Sequence, residues 1–273
     1  MQKKPKLVCH PKRLTEQVRM DAAKKSIEVN PLNAPQASRL AAMGFTPSPS
    51  QLAVLTTAYW GADKGVHLTV GFLDDPPADL RARIILHMNA WNKTANCSFV
   101  ETDTDPQVRI ARMTEDDKPG FGGFWSYVGT EILSIPKNEP TLNLEGFTMD
   151  TEDSEFHRVV RHETGHTMGF PHEHTRRELV ARIDVDKAIE FFGRTQGWNP
   201  EMVRAQVLTP IEDSALIRTR RADQLSIMCY QLPGDITIDG QPILGGTDID
   251  PTDFAFAAKV YPKAAAAQAA GGN

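Results

Sequence analysis

The chain has 273 residues, of which 40% are hydrophobic and 24% are charged, and it carries a net charge of −5. Such a length and composition are typical of a globular protein with one large domain or two small ones. The acidic balance gives no reason to expect a nucleic acid or an anionic membrane surface as a partner. No apolar run reaches the roughly eighteen residues of a membrane-spanning helix, so the sequence predicts no membrane span.

The N-terminus and the cysteines bear on the compartment. The first six residues are basic, but no apolar segment follows them, so no signal peptide is visible. The alternatives left open are a cytoplasmic protein, export by another route and a trimmed leader. Three cysteines, Cys9, Cys97 and Cys229, lack the spacing of a disulfide framework, and we expect them to be buried, unpaired thiols.

The first part of the chain alternates helical and extended patterns. Charged residues predict a helix over 12–29, which the proline-containing segment 30–35 ends. Apolar residues at alternate positions over 66–72 predict a strand with one buried face. The other elements predicted here are a short helix over 51–59, a helix over 77–94 and strands near 99–100 and 108–111.

Residues 162–172 follow the pattern H-E-x-x-H-x-x-G-x-x-H. On a helix, His162 and His166 face the same side because residues four apart lie above one another. Gly169 can end that helix in the left-handed conformation and return the chain so that His172 reaches the same ion. Three imidazoles leave one tetrahedral position open for water, as at a catalytic zinc, and Glu163 is placed to take a proton from that water.

A second motif, Ser226-Ile227-Met228-Cys229-Tyr230, begins sixty residues after His166. This segment looks like the Met-turn of the metzincin peptidases, and with the zinc motif it resembles the astacin family of that clan. The resemblance implies that Met228 forms an apolar floor beneath the histidines and that Tyr230 approaches the zinc and stabilises the oxyanion. A buried core tyrosine is the other interpretation of Tyr230. His174 comes two residues after His172 in a stretch predicted to be extended, and we expect it to face away from the metal.

The resemblance covers roughly residues 65–262. The segment 123–129 is similar to the astacin edge strand that borders the cleft, which implies that Gly123, Trp125, Ser126 and Tyr127 bind the substrate. The segment 248–261 is similar to the C-terminal helix of that family. There are also departures, because this chain has phenylalanine at position 124, where extracellular members have cysteine, and it lacks a Phe-x-Gly-Asp latency motif before residue 65.

The resemblance implies an α+β zincin fold of the metzincin type. We expect an N-terminal extension over 1–60, which is either a pro-segment or a packing arm, and a catalytic domain over 61–262. The upper subdomain, 61–169, holds a mixed twisted sheet and the zinc helix. The irregular lower subdomain, 170–262, holds the Met-turn, the C-terminal helix and helical pieces near 184–192, 200–207 and 251–260. Residues 263–273 form a low-complexity tail.

The predicted function is a zinc-dependent endopeptidase that acts on peptide or protein substrates, with Glu163 as general base and acid. One alternative is a binding protein that keeps a zinc-stabilised shell without catalysis, but such a shell has no use for Glu163. Another is a zinc amidase that acts on a non-protein polymer. Two interpretations of Cys9 are left open, a residue that blocks the zinc and an ordinary buried thiol. The role of Glu173, the cleavage preference and the oligomeric state are not indicated by the sequence.

Overall fold

The fold is given by a computed structural model that describes Cys9, Lys12, Ala53 and residues 14–35, 56–210 and 221–263. Most of the predicted helix over 51–59 and the tail from residue 264 lie outside the described residues. Among the described helices, none combines the length and the apolar character that crossing a membrane requires.

The described residues contain one five-stranded mixed sheet with strand order β2-β1-β3-β5-β4. The strands are β1 Val66–Phe72, β2 Cys97–Glu101, β3 Val108–Ala111, β4 Phe124–Ser126 and β5 Leu142–Leu144. The pairs β1–β2, β1–β3 and β3–β5 are parallel, and β4 pairs with β5 in the antiparallel direction. The strand β4 therefore lies at the edge of the sheet, as the mixed sheet of a zincin fold requires.

Within residues 14–35, 56–210 and 221–263, the α-helices are α1 Glu16–Val29, α2 Ala78–Met88, α3, α4 Arg177–Val180, α5 Val185–Gln196, α6 Pro200–Val203 and α7 Pro251–Val260. The helix that carries the zinc motif, α3, joins three successive segments, Asp153–Glu155, a π turn over Phe156–Val160 and Arg161–Thr167. A second π turn, Arg204–Leu208, follows α6. Short 3-10 turns occupy Pro31–Asn33, Asn89–Lys93, Gly129–Ser134, Glu173–Thr175 and Gly234–Ile236. The helices predicted over 12–29 and 251–260 are confirmed, with a start four residues later in the first. The helix predicted over 77–94 ends at Met88, and the chain continues as the 3-10 turn Asn89–Lys93.

The main hydrophobic core lies between the sheet and the helices α2 and α3. In α2, Leu80, Ile84 and Met88 recur every four residues and are fully or almost fully buried, so one face of the helix packs inward. The C-terminal helix α7 contributes Ala257 and Val260 to this same core. A second core contains Leu179, Phe192, Val207, Leu232 and Ile243, together with Cys9 and Tyr230.

The N-terminal helix α1 packs against the turn Gly129–Ser134. The hydroxyls of Ser26 and Thr130 lie 2.6 Å apart, and Lys25 Nζ donates to the Leu133 carbonyl at 3.0 Å. These contacts and the buried side chain of Ala22 attach α1 firmly to the domain.

The chain enters the main core before residue 61. Tyr59 and Trp60 are both buried there, and Trp60 Nε1 donates to the Thr167 carbonyl at 2.9 Å. The Trp60 amide donates to the Tyr261 hydroxyl at 3.3 Å, and that hydroxyl donates to the Met168 carbonyl at 2.5 Å. The two residues just before position 61 are therefore part of the main core.

Candidate active site

The three histidines of the zinc motif converge in a buried site. His162 and His166 lie one turn apart on α3, whose last residue, Thr167, is followed by Gly169 with φ +102°. This left-handed residue turns the chain as expected, so His172 comes back towards the helix. The Nε2 atoms of His162 and His166 lie 3.1 and 3.0 Å from His172 Nε2. Nitrogen ligands of a tetrahedral zinc are separated by about 3.3 Å, so the spacing fits one ion.

Carbonyl partners orient two of these imidazoles. His162 Nδ1 donates to the Ile227 carbonyl at 2.6 Å, and His166 Nδ1 donates to the Phe170 carbonyl at 2.8 Å. Because a carbonyl only accepts, each Nδ1 carries the proton and each Nε2 presents a lone pair. Burial lowers the pKa of His166 to about 4 and that of His162 well below its usual value, so both rings are neutral. Converging lone pairs without protons form a site that a cation satisfies.

Cys9 lies beside the three nitrogens, and Glu163 contacts its thiol. Glu163 is 1% exposed, and burial raises the pKa of its carboxyl to about 8. The Cys9 thiol donates to Glu163 Oε2 at 3.4 Å. Cys9 Sγ and the Nε2 atoms of the three histidines all lie within 4.8 Å of one another. The thiol therefore occupies the side of the site where a fourth metal ligand belongs.

The Met-turn packs directly beneath α3. An added Cβ at Gly165 would lie 2.4 Å from Met228 Sδ, so only glycine leaves room for the methionine at this point of the helix. The Asp253 carboxylate holds the turn, accepting from the Ser226 hydroxyl at 2.6 Å and from the Ile227 amide at 2.8 Å. Sequence reasoning missed Asp253, whose only local signal was the capping of α7.

Tyr230 lies at the site with its ring stacked on His174, with centroids 3.9 Å apart and planes at 18°. Its hydroxyl donates to the Cys9 carbonyl, so the oxygen of a peptide bond already occupies this donor. His174 is not among the clustered ligand atoms, in agreement with the expectation for this residue. Its Nε2 donates to the Gln206 carbonyl at 3.0 Å, and Nδ1 has no hydrogen-bond partner among the described residues.

The predicted substrate strand corresponds to β4 and its flanks. In the described structure β4 pairs only with β5, which leaves its outer side without a strand partner. Gly123 has φ +89°, and the side chains of Trp125 and Ser126 are fully buried. The Ser126 hydroxyl contacts Thr167 Oγ1 on α3 at 3.1 Å, and Tyr127 continues the pairing by donating to the Thr141 carbonyl. The strand is thereby fixed next to the zinc helix.

Glu173 supports the loop after the third histidine. Its carboxylate accepts from Arg176 Nη1 at 3.1 Å and from the Asp223 amide at 3.0 Å, and its own amide donates to the Met228 carbonyl at 2.8 Å. Burial raises the pKa of Glu173 to about 7. The residue thus joins the loop of His172 to the Met-turn.

All three cysteines are free and buried, as expected. A second group of possible ligands, His87, Asp153 and His157, lies at the start of α3. Arg83 donates to Asp153 at 3.1 Å and Arg161 donates to His87 Nδ1 at 3.3 Å. Two guanidinium groups therefore already hold this group, which fits an ion-pair network rather than a metal site.

Comparison with known proteins yields no match to any protein-family model. A stretch of 111 residues, 40% of this chain, is 28% identical to zinc metalloproteinase nas-27 of Caenorhabditis elegans and spans 22% of that protein. The fold is similar to a solved structure of myroilysin, with a TM-score of 0.68 and 28% identity over 76% of this chain and 96% of that chain. A second myroilysin structure gives a TM-score of 0.55 and 29% identity over 76% of this chain and 86% of that chain.

The match thus spans about a fifth of the curated relative but nearly all of the first myroilysin structure. The chain has a mixed sheet and a buried site. In that site the helix with two of the histidines, the glycine turn towards the third and the Met-turn lie together. Together with these relatives, they show a fold and a site similar to those of the astacin-like zinc proteases of the metzincin clan.

Proposed function

We propose that the protein is a zinc-dependent endopeptidase. The observation that carries this proposal is the convergence of the Nε2 atoms of His162, His166 and His172 in a cluster with the Cys9 thiol, which contacts the buried carboxyl of Glu163. A ligand set of three histidines leaves a position for water or substrate, in contrast to the four protein ligands of a structural zinc. The name of the relative nas-27, a zinc metalloproteinase, supports the same activity.

Each residue of the site has a part in the proposed hydrolysis. His162, His166 and His172 would hold the zinc, which supplies Lewis acidity and makes its bound water more acidic. Glu163 takes a proton from the attacking water and passes it to the leaving nitrogen. The Tyr230 hydroxyl donates a hydrogen bond to the carbonyl oxygen as negative charge develops there. The open side of β4 binds the peptide in an extended form by backbone hydrogen bonds.

We further propose that the N-terminal extension is a pro-segment that keeps the enzyme latent through Cys9. The Cys9 thiol contacts the Glu163 carboxyl, and the Cys9 carbonyl accepts from the Tyr230 hydroxyl. One residue therefore engages both groups that act on a substrate. A thiolate is a good fourth ligand for zinc, so Cys9 would exclude water until the segment is displaced. Of the two interpretations of Cys9, these contacts favour the plug.

The test uses the full-length, zinc-loaded chain and a proteome-derived peptide library, with cut sites identified by mass spectrometry. We expect little cleavage by the wild-type chain and clear cleavage by Cys9→Ala. Cys97→Ala is the matched control, since Cys97 is an equally buried free thiol in the main core, and it should stay latent. Adding Glu163→Ala to Cys9→Ala should leave zinc content unchanged and lower hydrolysis by several orders of magnitude.

Two outcomes would contradict these proposals in different ways. Zinc-loaded Cys9→Ala without any peptide cleavage would favour the binding-protein alternative, or an amidase if a non-protein polymer is hydrolysed instead. An active wild-type chain would refute latency alone. Cobalt substitution tests latency separately from peptidase activity. A sulfur-to-cobalt charge-transfer band in the cobalt-loaded chain reports a thiolate ligand without any reaction, and Cys9→Ser should weaken that band.

A further inference from the structure

Lys12 lies three residues after Cys9 and reaches the flank of the edge strand. Its Nζ donates to the Gly120 carbonyl and lies 4.2 Å from the ring centroid of Phe121 and 4.6 Å from that of Trp125. The two rings meet edge to face, at 76° with centroids 5.7 Å apart, and Trp125 Nε1 donates to the Phe121 carbonyl. Two fixed aromatic rings and a carbonyl oxygen thus surround one ammonium group, an arrangement that favours a cation.

The charges around this place favour a cation as well. Glu115 is positioned by the amides of Gly120 and Gly122, which donate to its two carboxylate oxygens at 2.7 and 3.2 Å. Burial lowers the pKa of Lys12, while the carboxylates of Glu115 and Glu139 act in the opposite direction. Lys118 lies 3.8 Å from the Phe121 centroid, but it is paired with Glu139 at 3.1 Å. The charges of this pair largely cancel, and the Glu115 carboxylate favours the charged form of Lys12.

We infer that Phe121, Trp125 and the Gly120 carbonyl form a substrate subsite that selects a lysine or arginine side chain. This inference rests on the proposed peptidase function. In the latent chain Lys12 occupies the subsite, and a substrate side chain takes its place when the N-terminal segment leaves. The Cys9 carbonyl binds the Tyr230 hydroxyl, which in the proposed mechanism contacts the scissile carbonyl. Lys12 is three residues further along, and three extended residues span at most about 10 Å, so the subsite lies within about three residues of the scissile bond.

The first test measures the hold on Lys12 without any catalysis. The rate at which a thiol reagent modifies Cys9 in the full-length, zinc-loaded chain is followed by mass spectrometry of the Cys9 peptide. Lys12→Met keeps the length and removes the charge, and it should raise this rate roughly three- to thirty-fold, the range for losing one cation–π site. Lys12→Arg should react like the wild type. Modification of Lys12→Met at the wild-type rate would overturn the inference, whether or not the protein is a peptidase.

The second test asks whether the same place selects substrates. The enzyme is the full-length Cys9→Ala chain that also carries Lys12→Ala, so that neither the Cys9 thiol nor the Lys12 ammonium competes with the substrate. Peptide pairs differ only by lysine or norleucine at one position, from four residues before the bond to four after it. At one position kcat/KM should be roughly three- to thirty-fold higher for lysine.

Matched variants assign the preference to the rings. Phe121→Leu should abolish the lysine preference, so that kcat/KM becomes equal for the lysine and the norleucine peptides. Phe124→Leu is the control in the adjoining strand β4, since Phe124 packs against Phe147, and it should keep the preference. A preference that survives Phe121→Leu, or no preference at any position, would refute the subsite. Failure to cleave any peptide would instead count against the proposed function, and the thiol measurement would still decide whether the rings hold a cation.

Discussion

Replacing Gly165 by alanine tests how closely the zinc helix packs on the Met-turn. The new Cβ would lie 2.4 Å from Met228 Sδ, 3.2 Å from Met228 Cε and 3.3 Å from Trp91 Cζ2. Non-bonded heavy atoms normally approach to about 3.5–4.0 Å, so the methionine must move from beneath the helix. Overpacking of this kind costs about 1–3 kcal/mol of the free energy of unfolding. Alanine also favours a helix over glycine by about 1 kcal/mol, which offsets part of that cost.

Gly193→Ala provides the matched control. Gly193 lies in α5, and an added Cβ there would meet only the Trp198 carbonyl oxygen, at 3.6 Å. The control therefore has the helix benefit without the collision, and the difference between the two variants isolates the collision. We expect Gly165→Ala to unfold about 1–3 kcal/mol more easily than Gly193→Ala, a Tm difference of about 2–12 °C.

The assay is chemical or thermal unfolding of the metal-free chain, followed by zinc titration of each variant. In a double-mutant cycle with Met228→Ala, the space left by the methionine should accept the new Cβ, so the two changes should cost less together than their sum. Gly165→Ala that is as stable as Gly193→Ala and binds zinc with wild-type affinity would refute this account of the packing between helix and Met-turn.

Three further predictions concern the ligands, the oxyanion donor and the support of the Met-turn. His166→Ala should remove most of the zinc measured by elemental analysis, because two imidazoles remain; full occupancy would exclude this ligand set. In the Cys9→Ala chain, Tyr230→Phe should lower kcat about 10- to 1,000-fold with little change in KM or zinc content, and an unchanged kcat would mean that the ring only packs. Asp253→Ala should cost about 1–3 kcal/mol in unfolding experiments, because the buried Ile227 amide and Ser226 hydroxyl lose their acceptor; wild-type stability would show that the Met-turn does not depend on it.

The parts of the site predicted from sequence are those governed by local geometry. The spacing of His162 and His166 follows from helix periodicity, and the left-handed turn at Gly169 is a property of glycine. No comparable local rule predicts the π turn over Phe156–Val160. The strand β5 is also not predicted, since three residues are too few to show a periodicity. Their positions follow from packing between distant segments.

Cys9 and Asp253 illustrate the same limit at the active site. The contact between Cys9 and Glu163 joins residues 154 positions apart, so the local sequence gives no sign of it and is typical of an ordinary buried thiol. Asp253 belongs to a capping box at the start of α7, and that pattern predicts a helix end rather than a clamp on a loop more than twenty residues earlier. In both cases the tertiary fold, not the pattern, decides which partner is met.

The hydroxyl of Tyr261 has a practical consequence for anyone who shortens this chain. It links the backbone of Trp60 near one end of the domain to Met168 at the end of the zinc helix, and Trp60 itself holds the Thr167 carbonyl. A truncated protein that starts at residue 61, or stops before residue 261, would leave the last turn of that helix without these partners. Weak zinc binding by such a fragment would then reflect a badly placed cut, and an expression boundary should lie before residue 56 and after residue 263.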